Sequence, residues 1–140
     1  MDQPSDHDGP AVVLEAVLHP EQLFDVRQIL TVRLAAVPAE DLWKVVTATN
    51  ELVTNALVHA GRCIGLRVYL EDGAVRVEVD DPSPSRVPTD GLTGGLAIVA
   101  GVASSWGDAT PGADAAGGGT PRRVPAAKTV WCEIEIPGVG

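Results

Sequence analysis

Glu51, Asn55 and His59 recur at every fourth position of the segment Glu51-Leu52-Val53-Thr54-Asn55-Ala56-Leu57-Val58-His59. On a helix such positions drift by about 40° per step, so a carboxylate, a carboxamide and an imidazole form one polar stripe. An apolar stripe runs beside it through Leu42, Val45, Val46, Leu52, Val53, Ala56 and Ala60. A polar edge that borders a core face can line a pocket. Two further groups suit a polar ligand. Asp81 follows the alternating run Val75, Val77, Val79, and an ionised aspartate only accepts hydrogen bonds, which suits an amino group. Gly91, Gly94 and Gly95 precede or open another helical pattern, where bare backbone N–H groups can approach phosphates closely. Singly these are commonplace: a solvated helix face, a turn-forming aspartate before proline, a bend made by glycines. Their joint order along one chain gives them weight.

The patterning also shows the elements that must position these groups. Residues 1–10 are polar, acidic and Pro/Gly-bearing, which predicts a loose tail, and residues 11–137 read as one domain. Ala11 to Leu18 is apolar except for Glu15 and predicts a strand, broken by His19-Pro20. Between Glu21 and Ala36, Leu23, Val26, Ile29, Leu30 and Leu34 recur at helical spacing. Pro38 fits the first turn of a second helix, Glu40 and Asp41 favour its dipole, and Gly61 after Ala60 fits a C-terminal cap.

Two strands follow. Ile64, Leu66, Val68 and Leu70 alternate with Gly65, Arg67 and Tyr69, and Asp72-Gly73 marks a hairpin turn. Val75, Val77 and Val79 alternate with Arg76, Glu78 and Asp80, and Asp81-Pro82-Ser83-Pro84 ends that strand. Leu96, Ile98, Val99 and Val102 predict a third helix from Gly94 to Ser105, with Thr93 as N-cap. Gly107 to Ala126 is Gly/Pro/Ala-rich without periodicity and predicts a mobile loop. Val130, Cys132, Ile134 and Ile136 alternate with Trp131, Glu133 and Glu135 in a last strand. The same alternation puts Lys128 on the face of Val130 and Thr129 on the other. The order β-α-α-β-β-α-β predicts an α+β, two-layer sandwich: a mixed, mostly antiparallel sheet with about three helices on one face.

The chain of 140 residues is long enough to bury a core without metal or disulfide help. Its 45% hydrophobic and 21% charged residues describe a soluble globular domain. No apolar run approaches a membrane span and nothing resembles a signal peptide, which predicts a cytoplasmic protein. A net charge of -9 argues against a direct nucleic-acid binder. Cys63 and Cys132 lack zinc-ligand spacing and read as buried reduced thiols.

Four segments together resemble the GHKL, or Bergerat-fold, ATPases, in the form carried by bacterial anti-sigma-factor serine/threonine kinases. Glu51 to Ala60 looks like their N-box, and Val75 to Ser83 like the strand ending in the adenine-reading aspartate. Gly94-Gly95-Leu96-Ala97-Ile98-Val99 looks like the second glycine box, and Lys128-Thr129-Val130-Trp131 like the last strand. The resemblance spans about Ala11 to Pro137, apart from the Gly107–Ala126 stretch. It implies ATP and magnesium as cofactors, with Asn55 as the metal ligand and Glu51 as general base or orienter of the attacking hydroxyl. Asp81 would receive the adenine amino group, with Ser83 beside it. Gly94, Gly95 and Leu96 would cradle phosphates, Arg86 in the lid would touch them, and His59 and Thr129 would complete the nucleotide contacts.

The pattern departs from the family at several places. Ser83 stands where a glycine is usual, and Ala127 replaces the glycine before Lys128. Gly94-Gly95-Leu96 lacks the usual residue between the two glycines, which shortens the phosphate cradle. In many relatives outside this subgroup a threonine at the position of Lys128 helps hold adenine. By resemblance the partners would be a sigma factor and a STAS-type anti-anti-sigma protein, with a homodimer plausible. The alternatives are a non-catalytic binding module that uses nucleotide weakly or not at all, and a stand-alone ATPase. A detached histidine-kinase domain fits less well, because no dimerisation helix bearing a phosphoacceptor histidine precedes the domain.

Overall fold

The computed structural model describes residues 11–62, 64–85, 94–109 and 127–137. The expected N-terminal tail, Cys63, Arg86, Gly91, Thr93 and residues 110–126 lie outside the described residues. The chain order is β1 (Ala11–Leu18), a 3-10 turn (Pro20–Gln22), α1 (Leu23–Arg33), α2 (Ala39–Ala60), β2 (Ile64–Glu71), β3 (Ala74–Asp81), α3 (Gly94–Val102), β4 (Ser105–Ala109) and β5 (Lys128–Glu135). Among the described residues the five strands form one sheet in the order β1-β2-β3-β5-β4. Every pairing among them is antiparallel, in line with the mostly antiparallel sheet expected, though without a parallel pair.

Alternation divides the sheet into two unlike faces. Ile64, Leu66 and Val68, then Val75, Val77 and Val79, then Val130, Cys132 and Ile134 point into the core against the helices. Arg67, Arg76, Glu78 and Glu133 occupy the other face as a ladder of ion pairs, each link about one hydrogen bond long. Arg76 also stacks on Trp131 at 4.5 Å. In β1 the register shifts between Val12 and Leu14. The resulting bulge lets the adjacent Val13 and Leu14 both bury their side chains, and Arg33 from α1 donates to the Val13 carbonyl at 2.7 Å.

Helix α2 is the central support. Pro38 is its N-cap rather than part of its first turn, and the Pro38 carbonyl accepts from Asp41 and Leu42 N–H at 2.9 and 2.8 Å. The helix ends at Gly61 in the left-handed region (φ 80°), whose N–H returns to the Leu57 carbonyl at 2.8 Å. Val45, Ala48, Leu52, Val53, Ala56 and Leu57 bury its inner face, and Leu42, Val46 and Ala60 pack at the margin.

Helix α3 ends at Val102 rather than Ser105, and Ile98 faces outward while Val99 is fully buried. The chain then turns into β4, so the start of the expected loop is a strand. Ser105-Trp106-Gly107-Asp108-Ala109 has neither alternation nor β-branched residues, and its pairing with β5 decides its conformation. Gly107 lies opposite Trp131, where an added Cβ would come within 3.2 Å of the indole.

Candidate nucleotide site

The two ends of the α2 stripe meet two different structures. At one end Glu51 packs beneath the start of α3. A Cβ added at Gly95 would sit 2.5 Å from Glu51 Oε1, far inside van der Waals contact, so a side chain there would make the Glu51 carboxylate move aside. Gly94 is required for another reason: its φ of 62° lies in the left-handed region, with open space around it. The paired glycines thus do separate work, one turning the backbone and one admitting the carboxylate. Leu96 packs against the core from this first turn of α3.

At the other end His59 reaches Asp81, the last residue of β3. His59 Nδ1 lies 2.9 Å from Asp81 Oδ1 and 3.1 Å from Oδ2. Because a carboxylate only accepts, the imidazole proton sits on Nδ1 and Nε2 faces away. Ser83 N–H donates to Asp81 Oδ1 at 2.8 Å, closing an Asx turn through Pro82. Lys128 Nζ donates to the Ser83 carbonyl at 2.9 Å and lies 3.5 Å from Asp81 Oδ1. Asp81 and Lys128 are buried, and their opposite charges offset the cost of burial that either would carry alone.

Asn55 stands midway along the stripe and is half-buried. At 1.5 Å rise per residue, Glu51 and His59 are roughly 12 Å apart along the helix axis. One helix edge therefore links a glycine-rich helix start to a buried carboxylate.

Among the sequence-derived candidates, Glu51 and Gly95 come together at one end, and His59, Asp81 and Ser83 at the other. Thr129 does not join them. It is turned to the outer face, where its hydroxyl donates to Asp80 Oδ1 at 3.1 Å. Arg67 also donates to Asp80, at 2.9 and 3.1 Å. Burial works against the Arg67 charge, but Asp80 and Glu78 outweigh it and raise its pKa above the ordinary value. Gly65 underlies this contact, since a Cβ there would collide with the Asp80 carboxylate. The adjacent aspartates thus serve opposite faces of the sheet.

Lys128 is the residue that sequence reasoning left off the candidate list. A signal existed: strand alternation put a lysine among Val130 and Cys132, and a lysine on a core face needs a buried partner.

A family model described as the histidine kinase-like ATPase domain matches residues 17–109, more than half of the chain. The chain belongs to that family. No curated protein matches it. As an ATP-binding domain of GHKL type, it carries within the matched region α2, Asp81 and the first turn of α3, whereas Lys128 lies beyond the match. Among the described residues, the antiparallel five-stranded sheet covered by three helices is the α+β sandwich of that fold. Among the described residues no group of three or more His, Cys, Asp or Glu side chains could hold a metal ion. ATPase domains of this type usually bind ATP with magnesium, which a side-chain oxygen and the phosphates can share. Asn55 is of the right chemical type, since hard cations such as magnesium favour oxygen ligands and keep several waters. No helix among the described residues is long and apolar enough to cross a membrane.

Proposed function

We propose that this histidine kinase-like ATPase domain is an anti-sigma-factor serine/threonine kinase. It would hold a sigma factor inactive and phosphorylate a STAS-type antagonist. The observation that carries the reading is the single helix edge joining Gly95 at Glu51 to Asp81 at His59.

The base lies at Asp81 and the phosphates at the N–H groups that open α3, where the helix dipole favours anions. Asn55, between the two, would contribute its side-chain oxygen to a magnesium ion. Bound magnesium supplies charge neutralisation on the transferring phosphoryl group. Glu51 accepts the proton of the attacking serine or threonine hydroxyl. That oxygen forms the new bond to the γ-phosphorus, the bond to the bridging oxygen breaks, and ADP leaves. A sigma-factor partner places the protein in the cytoplasm, and the acidic chain suits a basic docking surface. A homodimer is part of the same proposal.

The test is phosphoryl transfer from γ-labelled ATP to purified STAS-domain candidates, with wild type and Glu51→Gln. The expected result is transfer by the wild type and a loss of about 100-fold or more in the variant, the usual worth of a positioned general base. Equal transfer by both removes Glu51 from that role. ATP binding with no transfer to any STAS protein returns the domain to a non-catalytic module, and hydrolysis without a partner makes it a stand-alone ATPase.

A further inference from the structure

We infer that Lys128 reads the base alongside Asp81, making adenine selection in this chain a two-point contact between an ammonium donor and a carboxylate acceptor. The inference rests on the nucleotide reading of the site given above. Asp81 Oδ1 accepts from Ser83 N–H at 2.8 Å and from His59 Nδ1 at 2.9 Å, with the Lys128 ammonium 3.5 Å away as an ion pair. Oδ2 has only the longer share of the His59 contact, at 3.1 Å, and keeps a lone pair for a further donor. Lys128 Nζ carries three protons. One is committed to the Ser83 carbonyl at 2.9 Å, while Asp81 is an ion-pair neighbour at 3.5 Å rather than a hydrogen-bond acceptor.

The other two have no hydrogen-bond acceptor among the described residues, and a buried ammonium with uncommitted protons favours a ligand acceptor next to Asp81. The ammonium cannot drift far from this position. Lys128 sits opposite Asp81 in the β3–β5 ladder, is almost fully buried, and is tied to the turn that Asp81 itself organises.

A free donor beside a free acceptor is the complement of a ring nitrogen next to an exocyclic amino group. In adenine the 6-amino group donates to Asp81 Oδ2 while N1 accepts from Lys128 Nζ. Guanine and hypoxanthine present the reverse order. Their N1–H would face the ammonium and their O6 the carboxylate, leaving two buried polar groups mismatched. Lys128 therefore determines specificity, rather than serving only as a counter-charge for Asp81.

The test uses Mg-ATP and Mg-1-deaza-ATP, which keeps the amino group but replaces N1 by C–H, in calorimetric titrations of the whole chain. Wild type should bind 1-deaza-ATP about 10- to 100-fold more weakly than ATP, the usual worth of one hydrogen bond from a charged donor. Lys128→Met should bind both ligands equally, at the weaker level. Equal affinity of the wild type for the two ligands overturns the inference while leaving the nucleotide reading intact. Failure of the wild type to bind ATP at all removes the nucleotide reading and the inference with it. If Lys128→Met does not fold, the two ligands on the wild type decide the matter alone.

Discussion

Among single residues, the chemistry of the site comes from what each side chain was denied. Glu51 has Gly95 over its carboxylate, Asp81 has two donors and an ion-paired ammonium around one oxygen, and Lys128 has lost water and gained Asp81 and the Ser83 carbonyl. The same logic governs Cys132, which faces the core between Val130 and Ile134. Burial pushes its thiol from the ordinary 9.0 to about 12. A group whose pKa is raised in the folded state contributes stability in full below its unfolded value and loses it as pH climbs towards the folded one. Between about pH 9 and 12 the unfolded chain releases a proton that the folded chain keeps, so stability falls by at most about 1.4 kcal/mol per pH unit. Denaturant melts at pH 8 and pH 10 should show this slope in the wild type, and Cys132→Val should flatten it. Tyr69, whose phenol burial also raises, contributes in the same direction, so the difference between the two proteins is the quantity to read. Identical slopes would mean the thiol is not held neutral.

At the level of elements, legibility in the sequence tracked how strongly local pattern and tertiary demand agreed. Helix α2 was readable from end to end because its apolar stripe, acidic first turn and capping Gly61 all point the same way. The strands β2, β3 and β5 were readable from alternation alone. Strand β4 was not, since Trp106 is its only bulky apolar residue and its ladder comes from β5. The Asp81 candidate followed from its place at a strand end, yet the His59 contact joins residues 22 positions apart and has no sequence signature. Lys128 was visible as an anomaly on a core face but not as a neighbour of Asp81, because register across β3 and β5 is a tertiary property. Where α3 meets α2 a direct prediction follows. Gly95→Ala places a methyl group where the Glu51 carboxylate now lies, so the flexible side chain must swing away, at a cost of about 1 kcal/mol or less. It should also displace the carboxylate, so that the proposed phosphoryl transfer falls further than the melting midpoint alone explains. Gly94→Ala tests the neighbouring requirement through backbone strain while leaving Glu51 untouched. A Gly95→Ala protein as stable and active as the wild type would show that α3 does not pack on Glu51 as described.

For the molecule as a whole, net charge and charge pairing pull in opposite directions. A chain with a net charge of -9 repels itself when compact. The outer-face ladder of Arg67, Glu78, Arg76 and Glu133 is attractive but half-buried, and so is screened less by salt than the diffuse repulsion. Raising sodium chloride from about 10 mM to about 150 mM shortens the screening length from about 30 Å to about 8 Å. The thermal midpoint should therefore rise by a few degrees. A fall would mean that the ladder, not the surplus of acid, governs the response.

The neighbouring aspartates of β3 have a consequence for folding fidelity. If that strand slid by a single position against its partners, Asp80 would come to face His59, and a carboxylate would still be waiting there. Such a misthreaded chain would keep a plausible acceptor for a purine. It would also turn Val75, Val77 and Val79 out to water and strand Arg67 without its partner. Three valines and one arginine, rather than the carboxylate proposed to face the base, are thus what tell the correct alignment from its nearest counterfeit.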